Sequence, residues 1–308
     1  MNLEITPELR SLLKKALRED AGTGDITTQT LIPRDQRGEA WIVAKETGVF
    51  SGGPVAKEVF RLRDKRLRVS LLVSEGSRIK KGQKVMKIKG RVRPLLEAER
   101  VALNFLGHLS GIATLTRSFV DKIRGTRTKI LDTRKTTPLW RELEKYAVRS
   151  GGGANHRFGL WDEILVKDNH WRAIWELLNK TQCRYFNRRF NPVLKRRKIP
   201  VEIEVRNLRE LAHLSEGTFV PDRILLDNFS VKELRRAVLF VQGFYAILKT
   251  RYRIPRKRPL LEASGGITLA NVRAAAQTGV DRISIGRLTH SAPALDFSLN
   301  LKRARHEP

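Results

Sequence analysis

The 308-residue chain has one cysteine, Cys183, which excludes an internal disulfide and any cysteine-cluster metal site. It has no apolar run long enough to span a bilayer. Its first residues, MNLEITPELR, lack the apolar core of a secretory signal, so a cytoplasmic protein is expected. Acidic residues are scarce: 32 Asp and Glu against 61 Lys and Arg leave a net charge of +29. Two segments have no acid at all. Residues 180–198 carry eight cations and residues 249–258 carry six, so fourteen of the 29 excess charges are local. This balance points to anionic partners, either nucleic acid or phosphorylated and carboxylated small molecules. No recognised nucleic-acid motif accompanies it. The length and the 41% hydrophobic content suit one large or two modest domains with a substantial core.

Thr6-Pro7 reads as the start of a helix with Leu9, Leu12, Leu13, Ala16 and Leu17 on one stripe. The following Gly22–Thr28 cluster reads as a loop, a weak phosphate cradle because it lacks a lysine and a following helix. Residues 38–90 are β-rich, with strands at 40–44 and 67–73 and a helix over 55–62. This part reads as an α/β sandwich without an obvious catalytic group. Pro94 opens a helix carrying Arg100 and His108, and a second amphipathic helix holds Ile112, Leu115, Phe119 and Ile123. Arg100, among glutamates, reads as a surface ion pair with Glu97 or Glu99, and His108 as a packed residue.

From residue 129 the pattern changes to six short apolar strands alternating with helices. They lie at 129–131, 163–166, 201–205, 223–226, 260–263 and 282–285, each with polar or glycine residues at or near its C-terminal end. Such alternation gives a parallel sheet, here an incomplete α/β barrel, whose chemistry belongs at the strand C-termini. The centre of this region is Gly151–His170, GGGANHRFGLWDEILVKDNH. Its glycines let the backbone approach a ligand closely, although a plain glycine turn before a solvated strand end would read the same. Read together, the strand ends hold the cations Arg134, Lys135, His156, Arg157 and Lys167, the carboxylates Glu204 and Asp227, and two glycine loops. Guanidinium groups hold carboxylates or phosphates bidentately, so the set suits a polyanion. Glu204 and Asp227 could orient hydroxyls, hold Mg²⁺, or pair with nearby cations. The loops after the last two strands sit where barrels often bind phosphate, with His290 as a contact candidate. Cys183 has no local partner of any catalytic motif.

The segments REDAGTGDITT, SGGPVA, EAERVALNFLGHLSGIAT, KILDTRKTTP, LEKYAVRSGGGANHRFGL, ILVKDNH, VEIEVRN, ILLDN, EASGGI and ISIGRLTHSAP resemble the quinolinate phosphoribosyltransferase family across almost the whole chain. The resemblance implies conversion of quinolinate and phosphoribosyl pyrophosphate to nicotinate mononucleotide, pyrophosphate and CO₂, with Mg²⁺. It implies that Arg134, His156, Arg157 and Lys167 surround the quinolinate carboxylates, and that Arg100 enters that site from the partner subunit of a homodimer. Lys135, Glu204 and Asp227 would face the ribose, pyrophosphate and metal. Ser264, Gly265, Gly286 and His290 would hold the phosphoribosyl phosphate. The implied architecture is an N-terminal α/β sandwich domain over 1–108, with the tail 291–308 packed on it, followed by an incomplete TIM-like α/β barrel over 109–290.

Two departures stand out. The family's TTPG becomes Thr136-Thr137-Pro138-Leu139, which bears on the loop carrying Arg134 and Lys135. The stretches 180–198 and 242–258 are longer and more basic than the family pattern. Two alternatives stay open at this point. One is a paralogue of the same fold acting on another anionic substrate. The other is a nucleic-acid-binding protein whose basic tracts offer Tyr185, Phe186, Phe190 and Tyr252 for stacking.

Overall fold

The structure is a computed structural model that describes residues 3–174, 199–216, 220–251 and 258–302. The chain forms two compact units, one of residues 1–117, 136–153 and 287–308, the other of 118–135 and 154–286.

The first unit begins with α1 (Pro7–Ala21), where the Thr6 hydroxyl accepts the Leu9 N–H at 3.2 Å and Leu9, Leu13 and Leu17 are buried. The expected loop at 22–28 is partly helical. Asp25 accepts the Thr28 N–H at 2.9 Å and so caps α2 (Ile26–Leu31). A helix therefore does follow the glycines, and the carboxylate is engaged as its cap. Strands β1 (Arg37–Ala44), β3 (Arg68–Leu71), β5 (Lys84–Arg91) and β12 (Phe297–Leu301) form an antiparallel sheet in the order β12-β1-β5-β3. The C-terminal strand thus closes the sheet beside β1. Ala40, Ile42 and Ala44 alternate inward as a half-buried strand requires. Strands β2 (Gly48–Val49) and β4 (Arg78–Ile79) pair separately, and α3 (Gly53–Arg63) buries Val55, Ala56, Val59 and Phe60.

The two helices expected around Pro94 and Ile112 are one, α4 (Val92–Lys122). Gly107 and Gly111 are not breaks. A Cβ at Gly111 would stand 2.0 Å from the Pro293 carbonyl oxygen, and one at Gly107 would stand 2.9 Å from that of Leu295. The Leu295 N–H donates to the Gly107 carbonyl at 2.9 Å. These glycines admit the backbone of residues 293–295 against the helix. The unit also contains α5 (Arg141–Ser150) and α10 (Arg287–His290).

The second unit holds β6 (Lys129–Leu131), β7 (Ile164–Val166), β8 (Val201–Val205), β9 (Arg223–Asp227), β10 (Leu260–Ser264) and β11 (Arg282–Ser284). They form one six-stranded parallel sheet in the order β6-β11-β10-β9-β8-β7. Leu131 adds a parallel bridge to Ala154, and the ring stays open between that segment and β7. The described helices of this unit include α6 (Asp168–Ile174), α7 (Leu208–Glu216), α8 (Val231–Arg251) and α9 (Val272–Ala276). Because all six strands are parallel, their C-termini lie at one edge of the sheet.

At the opposite edge two aspartates tie strand beginnings together. Asp222 accepts the Val201 N–H and Asp281 accepts the Leu261 N–H, both at 2.8 Å. Arg258 grips Asp281 through both Nη atoms at 2.8 and 2.9 Å. This cation, part of the basic stretch 249–258, is therefore a structural partner of the barrel. The stretch 180–198 lies outside the described residues.

Candidate active site

Strand β6 delivers its chain into Asp132, which is fully buried. Asp132 accepts the His156 backbone N–H at 3.0 Å and also the side-chain amide of Asn155. The Ala154 N–H donates to Ile130 O at 2.8 Å. One buried carboxylate and one strand bridge thus anchor residues 154–156, the segment that follows the three glycines, against the end of β6.

The next residue, Arg157, is 9% exposed, and its Nη1 donates to the Glu163 carbonyl at 3.2 Å. Arg134 stands near enough to perturb it. Burial lowers the Arg157 pKa below the ordinary arginine value, and the charge of Arg134 lowers it further. The Nε of Arg134 is itself buried and meets no acceptor. Two guanidiniums that repel each other, one with an unused buried donor, form a site that a dianion would relieve.

Lys167 follows β7 and its Nζ lies 3.1 Å from Glu204 Oε2 at the end of β8. On the adjacent strand, Asp227 ends β9 and accepts the Asn228 side-chain amide at 2.9 Å. Asn228 has φ 58° and its N–H donates to Ser264 O at 2.8 Å. After β10, Gly265 turns with φ 86°, and a Cβ there would stand 2.1 Å from Asn228 Oδ1. Only glycine fits this close turn. Gly286 follows Ile285, whose N–H donates to Leu131 O at 2.9 Å. Parallel topology thus collects Arg134, Lys167, Glu204, Asp227, Ser264, Gly265 and Gly286 at one edge of the second unit, along with the exposed Lys135.

Two expected residues belong to the first unit. Arg100 is exposed on α4; of its two expected partners, Glu97 pairs with Arg63 instead, while Glu99 feels the Arg100 charge, which opposes the rise in pKa that burial causes there. His290 ends α10, with Nδ1 2.6 Å from the Ser291 hydroxyl. His108 is held by Glu144 at 2.8 Å and meets the edge of Trp140.

The structure also brings together charges that sequence reading passed over. His156 Nε2 lies 3.1 Å from Glu202 Oε2 and 3.3 Å from Glu262 Oε1, and both glutamates are 0% exposed. Glu163 pairs with Arg223 beside them. Burial and the neighbouring Glu202 push the Glu163 carboxyl above its ordinary range. For His156, burial disfavours the charged ring, but the two carboxylates outweigh it and raise the pKa to about 10. The Arg157 N–H, 2.7 Å from Nδ1, favours instead a lone pair on that nitrogen. Both influences keep a proton on Nε2, between the carboxylates. The available signal was parity: Glu202 shares the inward face of β8 with Glu204, one pleat deeper.

Comparison with known proteins places the whole chain in a family. The family pattern "Quinolinate phosphoribosyl transferase, N-terminal domain" matches residues 25–110, and the corresponding "C-terminal domain" pattern matches 112–300. The chain is 42% identical over 298 residues to the nicotinate-nucleotide pyrophosphorylase [carboxylating] of Mycobacterium leprae, covering 95% of this chain and 96% of that one. It is 41% identical over 295 residues to the probable carboxylating enzyme of Bacillus subtilis, covering 96% and 93%. The crystal structure of NadC from Streptococcus pyogenes superposes with a TM-score of 0.84 at 36% identity, covering 98% of this chain and 99% of that one. From end to end, in both the antiparallel and the parallel unit, the chain belongs to the quinolinate phosphoribosyltransferase family.

Proposed function

We propose that this protein is a carboxylating nicotinate-nucleotide pyrophosphorylase of NAD biosynthesis. It transfers the phosphoribosyl group of phosphoribosyl pyrophosphate to quinolinate, releasing pyrophosphate and CO₂ and giving nicotinate mononucleotide. The relatives' names support the reaction, and the observation in the molecule that carries it is the paired guanidinium site of Arg134 and Arg157. Quinolinate has two adjacent carboxylates, and a buried and a half-buried arginine, the latter with an unused buried donor, fit them.

In this reading Arg134, Arg157 and Lys167 hold the quinolinate carboxylates, with His156 contributing from beneath. Arg100 of a partner subunit completes the site in a homodimer. Lys135 faces the ribose and pyrophosphate. Ser264, Gly265, Gly286 and His290 hold the 5′-phosphate, with Gly265 making the tight turn after β10. Glu204 and Asp227 offer carboxylate oxygens from the C-terminal ends of neighbouring strands, the hard donor set that Mg²⁺ takes. A bound Mg²⁺ would neutralise charge on the leaving pyrophosphate. The chain itself presents no nucleophile of any catalytic motif, and the reaction needs none. The fixed cations align two anionic substrates and stabilise the charge that leaves the ribose C1. The same proposal places the protein in the cytoplasm. Among the described residues no helix is long and apolar enough to cross a membrane.

The test is direct. Purified protein with quinolinate, phosphoribosyl pyrophosphate and Mg²⁺ should release pyrophosphate, CO₂ and nicotinate mononucleotide in equal amounts. Pyrophosphate release without CO₂ would favour the paralogue reading.

A further inference from the structure

His156, Glu202 and Glu262 lie beneath the substrate groups, and their arrangement runs in one direction. The two glutamates hold the imidazole at Nε2, 3.1 and 3.3 Å away. The imidazole in turn accepts the Arg157 backbone N–H on Nδ1 at 2.7 Å. From the other side, Asp132 accepts the His156 N–H at 3.0 Å. The peptide units on either side of the His156 Cα are therefore each tied, one to Asp132 and the other to the imidazole. The Arg157 guanidinium starts from the latter peptide and is tied at its far end to the Glu163 carbonyl at 3.2 Å.

We propose that Glu202 and Glu262 are positioning residues that set the Arg157 guanidinium for the substrate dicarboxylate, acting through the imidazole of His156. Neither glutamate needs to touch substrate. Each is buried inside a parallel strand without a well-formed hydrogen bond, which is costly for a carboxylate, and His156 Nε2, facing both, is the group that offsets the cost. Three carboxylates (Glu163, Glu202 and Glu262) stand against the guanidiniums of Arg157 and Arg223 and the Nε2–H of His156. A one-ångström shift of a substrate-holding cation far from the reacting bond is enough to weaken catalysis, which gives such a support its effect.

The inference rests on the reading that Arg157 grips quinolinate, and the experiment separates the two. Steady-state kinetics are measured for Glu202→Gln, Glu262→Gln, Arg157→Ala and the double variant Glu262→Gln/Arg157→Ala, with thermal unfolding of each. The glutamine variants should raise the KM for quinolinate about tenfold. The KM for phosphoribosyl pyrophosphate should stay within about twofold, and the unfolding midpoint within a few degrees. In the Arg157→Ala background, Glu262→Gln should add less than about a twofold further change, because the residue it positions is gone. His156→Gln, whose amide N–H reaches the place of Nε2, should retain more quinolinate affinity than His156→Ala. If a glutamine variant fails to fold, His156→Asn carries the same tenfold prediction, since it releases the glutamates yet keeps an acceptor near Nδ1.

If Arg157→Ala leaves the quinolinate KM unchanged, the underlying reading of the site fails, and the inference with it. If Arg157→Ala raises that KM while both glutamine variants do not, the inference alone fails. Equal rises in both substrates' KM would mark the glutamates as merely structural and overturn it. So would one equivalent of tightly held transition metal lost on Glu262→Gln, since the ligand atoms of His156, Glu202 and Glu262 lie within 4.8 Å of one another.

Discussion

Leu139 adopts φ 67° at the position where the family pattern has glycine, and its side chain is 87% exposed. The loop has thus kept a glycine-like backbone under a leucine. A left-handed conformation costs a β-carbon-bearing residue about 1–2 kcal/mol, part of which glycine's larger unfolded-state entropy offsets. Leu139→Gly should raise stability by about 0.5–1 kcal/mol, seen as a higher midpoint in urea with an unchanged slope. No change, or a loss, would show that the leucine is packed in solution. The loop keeps its place because Trp140 stacks on Phe105 at 4.7 Å and buried Glu144 accepts the Thr137 N–H at 3.1 Å. At this scale the sequence made the cations legible, since Arg134 and Lys167 stand where charge follows an apolar strand. Glu202 and Glu262 were not legible in the same way. They lie inside strands, and which face meets the barrel interior depends on partners far along the chain.

At the scale of elements, all six parallel strands could be read from their apolar runs and the polar residues that end them. The single helix over Val92–Lys122 could not. The chain reads as two helices meeting near Gly111 until the segment 293–295 is seen lying on Gly107 and Gly111. Two alanine substitutions separate packing from helix propensity. Gly111→Ala drives a Cβ to 2.0 Å from a carbonyl oxygen and should destabilise by more than about 3 kcal/mol or prevent folding. Gly243→Ala, in α8 with nothing within 4 Å of the new Cβ, should stabilise by about 0.5–1 kcal/mol. Chemical denaturation of the pair checks the opposite signs, and a shared sign would contradict the account. The strand beginnings supply a pH prediction. Burial opposes ionisation of Asp281, but Arg258 and the Leu261 N–H outweigh it and lower its pKa below the ordinary 3.8. A folded-state pKa below the unfolded one gives stability that is present above about pH 4 and lost as pH falls through the lowered value. Asp281→Asn should therefore lower the melting temperature at pH 7 more than at pH 2.5. An equal loss at both would place the effect in packing alone.

For the whole molecule, the net charge of +29 invited a nucleic-acid reading, while the strand ends and the family match lead to small anionic substrates. Of the two basic tracts, Arg258 proves to be an ion-pair partner within the fold. The proposed homodimer makes a claim that mixing can check. Arg100→Ala and Lys135→Ala should each fold and each lose most activity. Subunit exchange between them should restore roughly a quarter of wild-type activity, because about half the dimers are mixed and each of these has one intact site. No recovery after demonstrated exchange would place both residues in one subunit's site. The central claim is that two guanidiniums on the barrel edge select a dicarboxylate, and the most direct measurement compares kcat/KM for quinolinate and nicotinate with phosphoribosyl pyrophosphate saturating. One charge-assisted pair is worth about 1.5–3 kcal/mol, so quinolinate should be preferred by roughly ten- to a hundredfold. Equal use of the two substrates would contradict the account.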